Sequence, residues 1–233
     1  MMNFENKTVV VSGASGGMGM VLVSKLAAAG ANLVLCSNDK ERLDAQIASL
    51  DAAKVFARVI DVTDEAQVAS FIDDAAAKFG SFCLLVNLAG LSIPCKYYEA
   101  EVETYEKMMD VNVKGSFLMA KHFSKYAEDP SRIINIGSMA ARNTNANAPI
   151  YCMAKAAVNK LSEGLLLQLG PKGIAVTTVN PGGADTPFWG SRAVDKTKLM
   201  SAEEVADVIW FVCNLPATIQ MHCLDFESAA RFR

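Results

Sequence analysis

Short apolar runs alternate with longer amphipathic stretches along the whole chain. Lys7–Ser12 (KTVVVS), Asn32–Cys36 (NLVLC), Val55–Ile60, Phe82–Asn87 (FCLLVN), Arg132–Gly137 (RIINIG) and Ile174–Asn180 (IAVTTVN) have the length and apolar, mostly β-branched content of strands. Between and after them, Met18–Ala29, Asp39–Leu50, Asp64–Phe79, a long stretch from Glu101 to Tyr126, Tyr151–Leu169 and Ser201–Cys213 predict helices. Gly30, Gly80 and Gly170-Pro171 supply stops, and Asp39 supplies a start. Ile219–Phe226 predicts a last strand. Continuous apolar strands separated by helices predict a parallel sheet covered on both faces. The expectation is one doubly wound α/β domain over residues 1–233 with about seven strands. Such sheets bind ligands outside the carboxyl ends of their strands. The loops after Ser12, Cys36, Ile60, Asn87, Gly137 and Asn180 should therefore line one edge and carry the chemistry.

Composition narrows the function without choosing it. The chain has 233 residues, 52% apolar, with a net charge of −3. No basic stripe is present, which argues against a nucleic-acid partner. No apolar run reaches the ~18 residues that a membrane span needs. MMNFENK shows no basic segment followed by an apolar one, so no signal peptide is expected and the chain reads as cytoplasmic. The six cysteines form no Cys-x-x-Cys and read as reduced residues, three of them within apolar segments. His122 and His222 stand apart from any ligand set, so no metal site is expected.

Directly after the first strand comes SGASGGMG, with Gly13, Gly17 and Gly19 opening a helix. Glycines there let the chain turn tightly and let a pyrophosphate approach the backbone. The helix start then offers free N–H groups and the positive end of its dipole. No Gly-Lys-Ser/Thr follows, which excludes a P-loop. The motif sits in the strand–turn–helix context that dinucleotide binding requires.

A second feature is YCMAK, which sets Tyr151 and Lys155 four residues apart. With 5 Tyr and 15 Lys in 233 residues, chance yields such a pair about 0.3 times, so the spacing alone says little. On a helix the two side chains share a face. An exposed, inert pair fits the spacing equally well.

Context separates these readings. SGASGGMG, Asp61-Val62, NLAG (Asn87–Gly90), Asn112 in DVNVKG, Ser138 in INIGSMA, YCMAK and NPGGADT (Asn180–Thr186) occur in order and in register. This set resembles the classical short-chain dehydrogenases/reductases over about Lys7 to Thr186. The resemblance implies a Rossmann-type fold and NAD(P)(H)-dependent hydride transfer between nicotinamide and a ketone or secondary alcohol. It implies that Gly13, Ser15, Gly17, Met18 and Gly19 form the pyrophosphate turn, and that Asp61 and Val62 flank the adenine. Asn87, Ala89 and Gly90 would support the sheet and the cofactor ribose. Pro181, Gly182, Ala184 and Thr186 would hold the carboxamide. Ser138, Tyr151 and Lys155 would be the catalytic trio, Asn112 the fourth member, and Tyr151 and Lys155 would also touch the cofactor. Family members commonly pair their long helices in homodimers or homotetramers. Two departures are Ser12 in place of threonine and NLAG in place of Asn-Asn-Ala-Gly. The chain's end also lacks the Asp-Gly-Gly that often closes such enzymes. A second reading is a sensor or scaffold that binds the dinucleotide without chemistry, but it normally coincides with loss of the Tyr or Lys.

The residue types suit the implied reaction. Ketone reduction needs a proton at oxygen, and a phenol near pKa ~10 holds its proton too tightly at neutral pH. A nearby ammonium favours the phenolate, so Lys155 is expected to lower the Tyr151 pKa. Ser138 would donate to the substrate oxygen, and Asn112 would hold a water leading from Lys155 to solvent.

Cofactor and substrate are less marked. At the end of the second strand, Ser37 stands where an NAD enzyme usually has an acid. Ser37 and Asn38, with Lys40 or Arg42 for charge, suit a 2′-phosphate, which favours NADP(H) and leaves NAD(H) open. Asp39 can also serve simply as a helix cap. The substrate is expected against Ile93 and the Pro94–Tyr98 loop, Met139, Asn145, Phe188 and Trp189, under a short lid at 187–200.

Overall fold

The computed structural model describes residues 3–233. The expected alternation folds into one seven-stranded sheet in which every pairing is parallel. The strands are β1 (Thr8–Ser12), β2 (Asn32–Ser37), β3 (Val55–Val59), β4 (Phe82–Asn87), β5 (Ala127–Ile136), β6 (Ile174–Pro181) and β9 (Cys223–Phe226). Their order is β3-β2-β1-β4-β5-β6-β9. The direction of winding reverses between β1 and β4, which opens a crevice at the carboxyl edge. The helices are α1 (Gly17–Ala28), α2 (Lys40–Ile47), α3 (Glu65–Phe79), α4 (Val102–Met109), α5 (Gly115–Phe123), α6 (Pro149–Leu169) and α7 (Ala202–Cys213).

Alternate strand residues serve opposite faces. Val9, Val11, Leu33, Leu35, Leu84 and Val86 pack with Leu22, Val23 and Leu26 of α1 and with Val205, Ile209 and Val212 of α7. Val10, Val34, Leu85 and Ile133 pack with Phe71 and Ile72 of α3 and with Leu118 and Phe123 of α5. Both faces are dry, so β1 and β4 are buried along their whole length. Leu165, Leu166 and Leu169 of α6 also belong to this second core, whereas Leu167 is exposed.

Helix starts follow their local chemistry. Asp39 accepts from Arg42 N, Asp64 accepts from Ala66 N and Gln67 N, and Ser201 with Glu204 forms a capping box on α7. The α1 start has no side-chain cap and no acid in its first turn.

Three features differ from the sequence expectation. The Glu101–Tyr126 helix is two helices joined by a π-helical turn at Asp110–Lys114. One residue too many per turn is the kind of local distortion that re-aims a side chain, here Asn112. Gly115, at the exit of this turn, lies so close to Val62 that an added Cβ would sit 2.8 Å from Val62 Cγ2. The last strand begins at Cys223, not Ile219. Upstream of it side chains replace the ladder, with Gln220 Nε2 donating to Val176 O (2.6 Å) and Arg132 donating to Ile219 O (3.1 Å). The loop after Thr186 is clipped at its base by an additional parallel bridge between β7 (Ala184–Asp185) and β8 (Met200–Ser201). Among the described residues, no helix is long and apolar enough to cross a membrane.

Candidate active site

Two connected hollows occupy the carboxyl edge of the sheet. A groove of about 410 Å³ runs from Ser37 and Arg42 past the glycine turn to Thr186. A cavity of about 830 Å³ continues beyond it, against Ser138, Tyr151 and Lys155. Met18, Leu88, Gly90, Thr186 and Phe188 line both.

The groove is shaped by backbone that tolerates no side chain. Gly13 has φ 66°, and a Cβ there would lie 2.6 Å from Ala89 N. A Cβ on Gly17 would lie 2.8 Å from Thr186 Cγ2. The loops after β1, β4 and β6 therefore meet at the uncapped start of α1. A glycine-lined groove ending on free helix N–H groups fits the pyrophosphate of a dinucleotide. Gly13, Ser15, Gly17, Met18, Gly19, Ser37, Asn38, Asp61, Val62, Ala89, Gly90 and Thr186 all line it. Arg42 lines it too, whereas Lys40 turns to Asp44 instead. Ser37 is held by Ser15 (Oγ–Oγ 2.6 Å), and its Oγ accepts from Asp39 N (3.0 Å).

Asn87 lies elsewhere. It is buried under the groove, accepting from Ser12 Oγ (3.1 Å) and donating to Asn135 Oδ1 (2.8 Å). Asn135 in turn donates to Ser162 Oγ on α6 (2.9 Å). This chain of polar side chains crosses β1, β4 and β5 and ties them to α6. Asn87 therefore stitches the sheet rather than lining the groove. Ser12, the departure from threonine, is its hydroxyl partner.

Ser138, Tyr151 and Lys155 share the cavity wall. Ser138 follows β5, and the Tyr–Lys pair lies on the first turns of α6, which begins at Pro149. Asn180 Oδ1 accepts from Ser138 N (2.9 Å). Asn180 Nδ2 donates to Asp225 (2.8 Å) and to Cys223 Sγ (3.1 Å) on β9. Arg142 then donates to Asp225 from outside (2.9 Å). A Cβ on Gly137 would overlap Asn180 Oδ1. The position of Ser138 thus depends on Asn180 and the last strand, a role the NPGGADT motif did not reveal. The only signal was an asparagine directly before Pro-Gly.

Lys155 is buried and donates to Ile136 O (2.8 Å). Gly90 brings Asn112 and Lys155 together, since a Cβ there would touch Asn112 Oδ1 at 3.1 Å and Lys155 Nζ at 3.4 Å. Asn112 lies fully buried behind the cavity, spanning Leu91 N (3.3 Å), Leu91 O (2.8 Å) and Met108 O (2.8 Å).

The electrostatics depart from the simple Tyr–Lys expectation. The Tyr151 phenol is pushed up to about 12, chiefly because burial disfavours its anion, with a Ser138 hydrogen bond and the Arg192 charge opposing this. Lys155 lies 5.8 Å from the Tyr151 ring centre and is itself lowered to about 8 by burial. Loss of water dominates both groups, and neither shift carries a contribution from the other residue.

Residues 7–197 match the short chain dehydrogenase family. The chain belongs to the short-chain dehydrogenase/reductase family. An uncharacterised oxidoreductase of Staphylococcus saprophyticus is 31% identical over 228 residues, covering 95% of this chain and 97% of its own. One from Staphylococcus epidermidis is 28% identical over 225 residues, again covering 95% and 97%. Among solved structures, a short-chain dehydrogenase/reductase from Serratia marcescens superposes with a TM-score of 0.90 at 27% identity, covering 98% of this chain and 99% of its own. A dehydrogenase/reductase from Sinorhizobium meliloti gives 0.89 at 26% identity, covering 97% and 95%.

In this dehydrogenase the expected substrate contacts are mostly brought together. Met139, Asn145, Phe188 and Trp189 line the cavity, as do Pro181, Gly182 and Ala184. Ile93 does not. Its backbone N–H points to Met108 Sδ (3.5 Å), and its neighbours Ser92 and Pro94 face the cavity instead. Arg192, Lys198, Glu227 and Arg231 also line it, and none was foreseen. No spacing or motif marks a lone arginine in a loop.

Proposed function

We propose that this short-chain dehydrogenase/reductase moves hydride between NADP(H) and a ketone or secondary alcohol, with Tyr151 as the proton donor. A single juxtaposition carries the reading: Ser138, Tyr151 and Lys155 line a cavity continuous with the glycine-lined groove. The dinucleotide supplies the hydride. Ser138 donates a hydrogen bond to the carbonyl oxygen while Tyr151 gives it a proton. At neutral pH the phenol is fully protonated, given its upward shift to about 12. That state is the competent one for reduction, since oxidation needs a phenolate to accept the alcohol proton. Ser138 and the charge of Arg192 favour the phenolate left behind. Lys155, held behind Gly90 beside Asn112, lies where it can return the proton.

The preference for NADP(H) is supported by Ser37, a non-acidic residue at the end of β2, and by Arg42, both of which line the groove; Asp39 lines it too and lies 3.6 Å from the Arg42 guanidinium. Asp39 is occupied as the cap of α2, accepting from Arg42 N at 3.0 Å. In the cell we read the protein as a cytoplasmic homodimer or homotetramer. The exposed Val102, Tyr105 and Phe117 of α4 and α5 support this, being apolar surface that association would cover.

The test is a panel of carbonyl compounds run with NADPH and NADH in parallel. NADPH should be preferred, and Arg42→Gln should lower that preference about tenfold, the worth of one charge-assisted hydrogen bond. A preference for NADH would remove the 2′-phosphate reading. Nucleotide binding with no turnover across the panel would favour the sensor.

A further inference from the structure

The large cavity is electrostatically unbalanced. Its lining carries four cations, Lys155, Arg192, Lys198 and Arg231, and one carboxylate, Glu227. Glu227 is committed to Arg231 at 2.6 Å. Lys155 sits at the inner end and donates to Ile136 O at 2.8 Å. Arg192 and Lys198 are left. Neither makes an ion pair among the described residues, although the adjacent Lys196 pairs with Asp185 at 3.0 Å. Lys198 has the exposed Asp195, cap of its own turn, nearby, whereas Arg192 has no carboxylate partner among the described residues; the excess is local, because the whole chain carries a net charge of −3.

Their place is away from the glycine turn, where the pyrophosphate would sit. Both line the cavity beyond Tyr151, and neither lines the groove of the glycine turn. Arg192 is also fixed. Its Nε donates to Trp189 O (2.7 Å), and one Nη donates to Phe188 O. Its guanidinium lies 5.0 Å from the Trp189 ring centre and 5.4 Å from that of Phe188. Phe188 is in turn 6.0 Å from the Tyr151 ring. The second Nη makes no hydrogen bond to protein among the described residues. A stacked guanidinium with free N–H groups is suited to a carboxylate, whose planar oxygens match its fork.

We propose that the cavity takes an oxo acid, a carbonyl compound whose carboxylate is held by Arg192, with Lys198 as an outer second cation. This rests on the reading of Tyr151 as the proton donor. The carbonyl carbon gains hydride from the reduced dinucleotide, the carbonyl oxygen gains the Tyr151 proton, and the carboxylate is unchanged. The product is a hydroxy acid. Acetoacetate and levulinate, each compared with its methyl ester, test the charge directly. The acid should exceed the ester in kcat/KM by about tenfold or more, as one charge-assisted bond to a fixed arginine implies. Arg192→Met should reduce the acid-to-ester ratio about tenfold. Because Arg192 also braces its own loop, Lys198→Gln is the independent variant, and it should lower the ratio a few-fold. Esters that match or beat acids with the wild-type protein would overturn the proposal, as would a ratio that neither variant moves. Titration of valerate and valeramide into the cofactor-loaded protein separates this from the reaction itself. If no carbonyl compound turns over yet valerate binds better than valeramide and both variants weaken it, the carboxylate subsite stands and the reductase reading falls. Equal binding of the two ends the proposal.

Discussion

The two halves of the crevice are built by different means. The nucleotide half is made of backbone. Gly13, Gly17 and Gly19 leave room that a single methyl group would fill, at 2.8 Å or less from neighbouring atoms. Most of its walls come from the ends of β1, β2, β3 and β4, within the first 91 residues, with Thr186 closing it from the loop after β6. The substrate half is made of side chains drawn from afar. Ser138, Tyr151, Phe188, Arg192, Lys198 and Arg231 come from β5, α6, the loop after β6 and the chain's end. The difference teaches where function is variable. A backbone cradle recognises a part common to all its ligands, whereas long side chains on a clipped loop can be exchanged without disturbing the sheet.

This contrast can be broken experimentally. The largest effect should come from the substrate half. Tyr151→Phe should lower kcat/KM by about 100-fold to 10,000-fold, the range for a lost general acid, with nucleotide affinity unmoved in fluorescence titration. Loss of both together would mean that the halves are not separable. Next comes Asn180→Ala, which unpins Ser138 N and removes one of the donors to Asp225 on β9. Steady-state kinetics should show kcat falling more than KM rises, with about 1–3 kcal/mol lost in urea unfolding, the usual cost of a broken buried polar contact. An unchanged kcat would reduce this network to scaffolding.

In the nucleotide half, Gly13→Ala combines a φ of 66° with a Cβ 2.6 Å from Ala89 N. It should cost about 1–3 kcal/mol and weaken nucleotide binding, while any residual turnover keeps its substrate preference. A changed preference would contradict the division.

The last effect concerns stability alone, at Lys155. Its pKa of about 8 in the folded chain lies below the ordinary 10.5. Between these values the unfolded chain keeps a proton that the folded chain has released. Stability should therefore rise with pH from about 8 towards 10.5, by at most about 3 kcal/mol. Above pH 10 the raised Tyr151 pKa works in the opposite sense, since the unfolded phenol ionises first. The buried thiols of Cys36, Cys83 and Cys213, pushed up to about 12, also lower stability above about pH 9, and they do so in both proteins alike. Urea unfolding without added nucleotide should therefore show the Lys155 effect as a difference: from pH 8 to pH 10 the wild-type protein should gain stability relative to Lys155→Met.

Much of the fold was legible because burial on both faces writes continuous apolar runs into the parallel strands, as in TVVVS and FCLLVN. The nucleotide groove was legible because a close approach of backbone demands glycine at fixed spacing. The π-helical turn at Asp110–Lys114 was not, because one extra residue in a turn barely alters the apolar period. Asn87 was expected to support both the sheet and the cofactor ribose; it stitches β1 to β5 and does not line the groove, since an asparagine at a strand end fits either place. The raised Tyr151 phenol was also hidden. Spacing shows that Lys155 is near, but only packing shows how much water both have lost.

The sequence by itself determined the layering, the strand order's raw material, the glycine turn and the family's polar residues, because these depend on local pattern and covalent geometry. The tertiary structure decided what those residues do to one another. It hung Ser138 on Asn180 and the last strand, set Lys155 against Asn112 behind Gly90, and brought Arg192 and Lys198 to the cavity wall. Charge and desolvation act through space, and their strength depends on distances and water exclusion that no local spacing encodes.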